Sequence, residues 1–219
     1  MDENKIRLAL TKGRLEQQTL RLLERAGYET GKLKSGSRRR IFSLPDSNLE
    51  LVLAKAADVL TYVEHGACDI GVVGKDTILE QGGSYYELMD LKFGACRFAL
   101  AGPRGVDFFK GLRTKTIATK YPNITKRYFA DRQTDIRTIK IEGSVELAPL
   151  LGLADAIVDI VETGTTLKEN GLELYEEILP VSARLIVNLA SMKTKRKQLQ
   201  PILTQLEEQV LREGEDSPC

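Results

Sequence analysis

The stretch from 155 to 170, DAIVDIVETGTTLKEN, restricts the possible folds of this chain more than any other segment. Its apolar run Ala156–Val161, rich in Ile and Val, is typical of a buried strand of a parallel sheet. The run stops at Glu162, and residues 163–166 lead into a short helix that the Asn-Gly pair at 170–171 should end. The stretch therefore predicts a strand–loop–helix unit, the repeating element of α/β domains.

The loop of this unit has the donors of an anion site. Gly164 lets the backbone turn sharply and approach a ligand, while the flanking threonine hydroxyls and the first amides of the helix point outward. Asp159 and Glu162 lie within one loop of these donors. Because carboxylates repel a bare phosphate, the combination fits a ligand that also offers hydroxyls or a metal ion, such as a sugar phosphate. A plain strand-to-helix turn with an N-cap would use the same letters, so the loop alone leaves both interpretations open.

Composition excludes several classes of protein. A net charge of +1 over 219 residues argues against bulk nucleic-acid or membrane-surface binding, and no apolar run approaches the roughly 18 residues of a membrane span. Cys68, Cys96 and Cys219 are odd in number and widely spaced, which favours reduced thiols and disfavours a disulfide framework or a zinc site. His65 is the single histidine, so Ser-His or Cys-His catalysis would depend on it alone. With an acidic start that enters a strand at once, we expect a cytoplasmic protein.

The strand–loop–helix rhythm extends along the whole chain. Strands are predicted at 6–10, 41–44, 49–54, 68–73, 88–91, 96–101, 116–119, 136–141, 156–161 and 182–189. Helices are predicted at 15–26, 58–66, 77–81, 123–131, 145–151 and 199–212. Because the crossovers are short and helical, the sheets should be largely parallel. A composition break at Gly102-Pro103 places a domain crossover near residues 90–102, and we expect two lobes that can close on a ligand.

Cations gather at the predicted loop edge of the first lobe, at Lys12, Arg14, residues 38–40, Lys55 and Lys75. A charge cluster is usually a solvated surface, and residues 38–40 alone would be interpreted that way. Opposite a ribose-phosphate loop, however, two cationic loops indicate a substrate with more than one phosphoryl group. In the second lobe, a second helix start at residues 143–144 places Glu146 near an amino terminus.

These segments together resemble the ATP phosphoribosyltransferases, the enzymes that open histidine biosynthesis. Six blocks in family order, between residue 6 and about residue 210, carry the resemblance. They are LALTKGRL (8–15), SRRRIF (37–42), YVEHGACDIGVVGKD (62–76), IATKYPNITKRYF (117–129), EGSVELAPLLGLADAIVDIVETGTTLKENGL (142–172) and SARLIVN (182–188). The chain resembles the short form, which lacks the regulatory carboxyl-terminal domain and works with a separate regulatory subunit resembling a histidyl-tRNA synthetase.

The resemblance implies an α/β fold of two lobes, like a type II periplasmic binding protein. Lobe one would comprise 1–92 and about 180–212, lobe two 93–179, and residues 213–219 a frayed tail. The implied reaction joins N1 of ATP to C1 of 5-phosphoribosyl 1-diphosphate (PRPP), gives N1-(5-phosphoribosyl)-ATP and expels diphosphate, with Mg²⁺ carried on the phosphates. A homodimer within a hetero-octamer, and little feedback by histidine on the isolated chain, are implied as well.

The same resemblance assigns roles to residues. Glu146 and Asp159 would bind the ribose hydroxyls, residues 163–167 the 5-phosphate, and Arg14 and Arg38 the departing diphosphate. The full PRPP set is Glu146, Asp159, Glu162, Thr163, Gly164, Thr165, Thr166 and Leu167; the ATP set is Lys12, Gly13, Lys55, Gly74, Lys75 and Asp76. Glu162 stands where relatives often have Ser, Gly or Asp, and Lys55 where many have Arg, which binds phosphate differently.

Two alternatives remain at this point. The first is a ligand-binding module without catalysis on the same two-lobed fold, because fold does not determine function. Such a module does not need ribose carboxylates, phosphate donors and leaving-group arginines together. The second is a phosphoribosyltransferase with a Rossmann-like core, which would place two adjacent acidic residues before the Thr-Gly pair; this chain has none there.

Overall fold

The computed structural model describes residues 5–30, 40–45, 47–111 and 113–216, with the backbone alone for 213–216. The chain forms two compact units. Unit 1 contains the described residues up to Gly94 and from Ser182 onward, and unit 2 is Ala95–Val181. The sequence places these boundaries at 92/93 and 179/180, and unit 1 is discontinuous in both divisions.

The elements alternate along the chain. The strands are β1 (Ile6–Thr11), β2 (Ile41–Ser43), β3 (Leu49–Ala54), β4 (Ile70–Gly74), β5 (Tyr85–Asp90), β6 (Cys96–Pro103), β7 (Lys115–Thr119), β8 (Ile136–Lys140), β9 (Ala156–Val161), β10 (Leu172–Val181) and β11 (Ala183–Asn188). The helices are α1 (Arg14–Arg25), α2 (Ala56–Glu64), α3 (Lys75–Gln81), α4 (Pro122–Asp131), α5 (Leu147–Leu150), α6 (Thr165–Glu169), α7 (Leu189–Thr194) and α8 (Arg196–Asp216).

Unit 1 is built on a six-stranded sheet in the order β2-β3-β1-β4-β11-β5. Strand β1 shows how both faces are covered, because its side chains alternate between them. Leu8 and Leu10 join a core with Leu22 of α1 and Leu206 of α8, whereas Ala9 joins the core that α2 forms on the opposite face. Burial on both faces explains why Leu8, Ala9 and Leu10 are consecutive apolar residues in this strand.

Unit 2 is built on a five-stranded sheet in the order β10-β6-β9-β7-β8. Its core brings Ile157 and Val161 of β9 together with Leu167 of α6 and Ala148 of α5. Leu167 fixes α6 to the sheet, whereas Ala148 and Pro149 are the buried residues of α5.

The expectation of largely parallel sheets holds for one part of each sheet. Strand β1 is parallel to β3 and β4, and β7 is parallel to β8 and β9. The other pairings are antiparallel: β2 with β3, β11 with β4 and β5, and β6 with β9 and β10. Strands β6 and β11 directly follow the two passages between units, so no helical crossover sets their direction.

Three elements differ from the sequence predictions. Strand β10 (LELYEEILPV) was not predicted, because three glutamates interrupt its apolar residues and register shifts after Leu174 and Glu177 disturb the alternation. Helix α7 was also missed; Asn188 caps it by accepting from the amides of Ala190 and Ser191. Helix α8 extends to Asp216, so residues 213–216 are helical rather than part of a frayed tail, and residues 217–219 lie outside the described part.

Candidate active site

A cavity of about 320 Å³ lies in unit 2 at the carboxyl end of β9. It is lined by Glu146, Ile157, Asp159, Ile160, Val161, Glu162, Thr163, Gly164, Thr165, Thr166 and Leu167. All eight residues that the resemblance assigns to PRPP are in this set. The structure thus brings them to one place, although their binding of PRPP stays a prediction.

The loop from β9 to α6 has the backbone of a ligand-binding turn. Gly164 adopts the left-handed conformation (φ 77°) and forms the N-cap of α6, a conformation that costs a residue with a Cβ atom about 1–2 kcal/mol. The hydroxyls of Thr163 and Thr165 lie 3.0 Å apart and are exposed, whereas Leu167 is buried and anchors the helix. Since α6 has a single turn, the donors for an anion are these hydroxyls and nearby amides rather than a helix dipole.

Three carboxylates enter the same cavity from different elements. Asp159 is half-buried within β9, and its Oδ1 accepts a hydrogen bond of 2.8 Å from the Ile160 amide. Glu162 is exposed at the exit of the strand, and Glu146 is half-buried at the start of α5. The turn before Glu146 is strained, because Ser144 has φ 44°, a value that residues other than glycine seldom adopt. Such strain is concentrated at functional sites.

Arg97 contacts this loop but is not among the site residues predicted from the sequence. It lies in β6, and its Nη1 donates a hydrogen bond of 3.1 Å to the carbonyl oxygen of Glu162. Its Nε lies 2.6 Å from Oε1 of Glu177 on β10. The signal in the sequence was an arginine near the start of an otherwise apolar strand, CRFALA, which a purely structural strand does not need.

In unit 1, the residues assigned to ATP lie at one edge of the sheet. Strands β1, β3 and β4 run parallel with Thr11 opposite Ala54 and Leu10 opposite Val72, so their carboxyl ends meet. The next residue after β1, Lys12, donates its amide to the carbonyl of Ala54 at 3.0 Å. This edge is where ligands gather in open α/β sheets. The structure places there Lys12, Gly13, Arg14, Lys55, Gly74, Lys75 and Asp76.

The charge of Lys75 is partly neutralised within unit 1. Its Nζ lies 2.6 Å from Oε2 of Glu87, whose Oε1 lies 3.6 Å from Nε of Arg184. Burial acts to raise the pKa of the neighbouring Asp90, but hydrogen bonds from Lys92 and Ser182 and the charge of Arg184 outweigh it and lower the pKa. Lys75 is therefore held within a network of charges, in contrast to exposed Lys12 and Lys55.

The carboxylate of Asp76 lies against the backbone of Gly74, so a side chain at position 74 would require that flexible carboxylate to turn away. A Cβ atom on Gly74 would lie 2.0 Å from Oδ1 of Asp76, much closer than such atoms can approach. The loop therefore presents an acidic group close against bare backbone. Arg38, the second arginine assigned to diphosphate, lies outside the described residues. Over the ranges that the structure describes, no group of three or more His, Cys, Asp and Glu side chains is arranged to hold a metal ion.

Comparison with solved structures confirms the two-lobed fold. The chain superposes on an aliphatic sulphonate binding protein of the periplasm, SsuA from Escherichia coli, with a TM-score of 0.62 at 13% identity, covering 94% of this chain and 72% of that one. At this identity the likeness concerns the fold alone. Within the described ranges, none of the helices combines the length and apolar character needed to cross a membrane.

Much closer relatives are found among the ATP phosphoribosyltransferases. The HisG family, described as ATP phosphoribosyltransferase, matches residues 55–208. The enzyme of that name from Clostridium kluyveri is 54% identical over 208 residues, covering 95% of both chains. That from Listeria monocytogenes is 50% identical over 208 residues, covering 95% of this chain and 97% of the relative.

A solved structure points in the same direction. The chain matches the ATP phosphoribosyl transferase (HisG:HisZ) complex from Thermotoga maritima with a TM-score of 0.80 at 37% identity, covering 94% of this chain and 99% of that one. This match agrees with the short form expected from the sequence. On the identities and coverage of these relatives, the chain belongs to the ATP phosphoribosyltransferase family.

Proposed function

We propose that this chain is an ATP phosphoribosyltransferase that catalyses the first step of histidine biosynthesis. N1 of the adenine of ATP attacks C1 of PRPP, the C1–O bond to diphosphate breaks, and the products are N1-(5-phosphoribosyl)-ATP and diphosphate. The observation that carries the proposal is the cavity of unit 2, which combines three carboxylates with a loop of hydroxyls and amides. A phosphate and a polyhydroxyl sugar in one molecule require this combination.

The 5-phosphate of PRPP would bind residues 163–167. The exposed hydroxyls of Thr163 and Thr165 and the amides around Gly164 supply donors there without a Cβ in the way. The ribose hydroxyls would donate to Glu146 and Asp159, because carboxylates accept strongly. A volume of about 320 Å³ lies within the range of small-molecule sites and suits a single phosphoribosyl group.

The proposed reaction requires positioning of the substrates and stabilisation of charge rather than a strong base. Adenine N1 already carries a lone pair, and positive charge develops on the ribose as the C1–O bond opens. Carboxylates held beside the sugar stabilise that charge, and fixed geometry brings the two reactants into line. Asp159 is suited to this role, since the rigid strand β9 and the hydrogen bond from Ile160 fix its position.

ATP would bind the edge of unit 1 where Lys12, Gly13, Lys55, Gly74, Lys75 and Asp76 converge. Lys12 and Lys55 are exposed cations suited to phosphates, whereas Lys75 is already paired with Glu87. Arg14 and Arg38 would stabilise the departing diphosphate. We propose Mg²⁺ as the ion that travels with diphosphate and triphosphate, because Mg²⁺ usually keeps waters and substrate phosphates as ligands.

We further propose a regulatory partner. The related Thermotoga maritima structure is titled a HisG:HisZ complex, so this chain would assemble with a subunit of that kind, resembling a histidyl-tRNA synthetase. Homodimers within a hetero-octamer, and a cytoplasmic location, fit the same proposal. Mass measurement of the chain alone and with the partner tests the assembly.

The decisive experiment is an absorbance assay of ATP plus PRPP with Mg²⁺, run with and without the partner subunit. We expect product to form only when both substrates are present, with diphosphate released in equal amount. A control that replaces ATP with GTP tests the requirement for adenine. Binding of PRPP without any turnover, even with the partner, would contradict the proposed function and favour a ligand-binding module.

A further inference from the structure

The position of Arg97 is fixed by the sheet of unit 2. Strand β6 lies between β9 and β10, and Arg97 is opposite Val161 on one side and Pro180 on the other. Val161 is the last residue of β9, so Arg97 stands where that strand leaves the sheet. From this position its side chain reaches the carbonyl oxygen of Glu162, the first residue beyond the strand, at 3.1 Å.

We propose that Arg97 is a positioning residue for PRPP, acting by fixing the start of the loop at residues 162–166. The proposal rests on the proposed function of the unit 2 cavity. Glu162 lies two residues before Gly164, whose left-handed backbone aims the threonine hydroxyls. A fixed carbonyl at Glu162 therefore limits the positions that these donors can take. Displacements of about 1 Å in such elements can lower rates about 100-fold.

The second contact of Arg97 holds the guanidinium in place. Its Nε lies 2.6 Å from Oε1 of Glu177, an ion pair without hydrogen-bond geometry, so one planar group contacts both strand β10 and the end of β9. Arginine suits this task because its donors have a rigid, fixed arrangement. A lysine would keep the positive charge, but its single ammonium cannot hydrogen-bond to the Glu162 carbonyl and pair with Glu177 from one rigid plane.

The loop borders open space on the side of Arg97. A second cavity of about 490 Å³ lies there, lined by Arg97, Arg104, Thr163, Gly164, Leu167, Lys168, Leu172, Glu173, Leu174 and Glu177. Thr163, Gly164 and Leu167 line this cavity as well as the substrate cavity. These three residues therefore separate two open spaces.

Four variants test the proposal: Arg97→Met, Arg97→Lys, Glu177→Gln and Arg104→Met. Arg104→Met is the matched control, because it removes the same charge from the same cavity, and Arg104 is exposed. We expect both Arg97 variants to raise the KM for PRPP by about tenfold while the KM for ATP stays within about twofold. Glu177→Gln should have a smaller effect of the same kind, and Arg104→Met should resemble the wild type.

Hydrogen exchange of the amides at residues 163–166, measured without substrate, gives an independent readout. We expect faster exchange in both Arg97 variants and no change in Arg104→Met. A wild-type KM for PRPP in Arg97→Lys would overturn the proposal, because it would mean that charge alone matters. Equal changes in the KM for ATP, or unchanged loop exchange, would also overturn it. If the wild type had no turnover, the proposed function would fail while the exchange experiment could still confirm or refute the tether.

Discussion

Replacing Gly164 by alanine tests whether the loop conformation, rather than the loop's mere presence, binds PRPP. Gly164 has φ 77°, and a Cβ atom placed there would meet only Val161 Cγ1 at 3.8 Å, an ordinary contact. The substitution therefore adds backbone strain without a steric clash. An L-residue in the left-handed region costs about 1–2 kcal/mol, which the folded loop must either bear or relieve by moving.

Strain of this size has different consequences for stability and for binding. In global unfolding, alanine also restricts the unfolded chain, which offsets about 0.4–1 kcal/mol of the cost. No such offset applies to binding, because the strained and the relaxed loop both belong to the folded protein. If the loop relaxes, restoring the binding geometry costs about 1–2 kcal/mol, which corresponds to a KM for PRPP raised about 5- to 30-fold.

Gly171→Ala is the matched control for this experiment. Gly171 follows the opposite end of α6, has φ 69°, and has no atom within 4 Å of its built Cβ. The two variants should lose similar stability in urea, but only Gly164→Ala should raise the KM for PRPP at saturating ATP. Gly164→Asn should have a smaller effect than alanine, because asparagine tolerates the left-handed region better. An unchanged KM in Gly164→Ala, or an equal rise in Gly171→Ala, would refute the reasoning.

Three further predictions follow from other parts of the structure. Asp159→Asn keeps the shape of the side chain but removes its charge. We expect steady-state kinetics to show a KM for PRPP raised about tenfold to a hundredfold. A normal KM for PRPP would contradict the ribose assignment. Burial raises the pKa of the Cys68 thiol to about 11, so at pH 8 mass spectrometry should find half-buried Cys96 alkylated well before Cys68. Asp69 is 3% exposed, and one of its carboxylate oxygens lies 3.0 Å from Nζ of Lys195, whose side chain is 29% exposed. Because the change leaves the lysine without its buried partner, Asp69→Ala should lower the free energy of unfolding, measured in urea, by about 2–3 kcal/mol. A loss below about 1 kcal/mol, the value of a surface ion pair, would contradict this.

The sequence predicts best where the physical pattern is local. Ile and Val between two polar ends place β9 at Ala156–Val161, the same bounds that the structure gives. The Thr-Gly-Thr-Thr sequence likewise predicts the turn, because only glycine adopts the left-handed backbone of Gly164 without a conformational energy cost. The buried strands of unit 1 are equally clear, since apolar side chains on both faces leave no alternation to misinterpret.

The remaining features depend on contacts that are distant in sequence. Arg97 lies 65 residues from Glu162, and no local pattern indicates that its guanidinium reaches that carbonyl. Strand β10 lies at an edge of its sheet and contains three glutamates, and its register shifts remove the period of two that would have identified it. Both omissions lie beside the loop that the sequence identified most clearly. The loop donors can therefore be predicted from the local sequence, but the distant residues that hold the loop in place cannot.

The two candidate sites also differ in where the chain encodes them. Every residue assigned to the phosphoribosyl part of PRPP lies between 146 and 167 in unit 2, and every residue assigned to ATP lies between 12 and 76 in unit 1. Each set is positioned by its own sheet: β9 and its loop for PRPP, the ends of β1, β3 and β4 for ATP. Substitutions in either set should therefore change the dissociation constant of one substrate and leave that of the other substrate unchanged. Coupling between the two would then arise only in turnover, where both substrates must be aligned for N1 to reach C1.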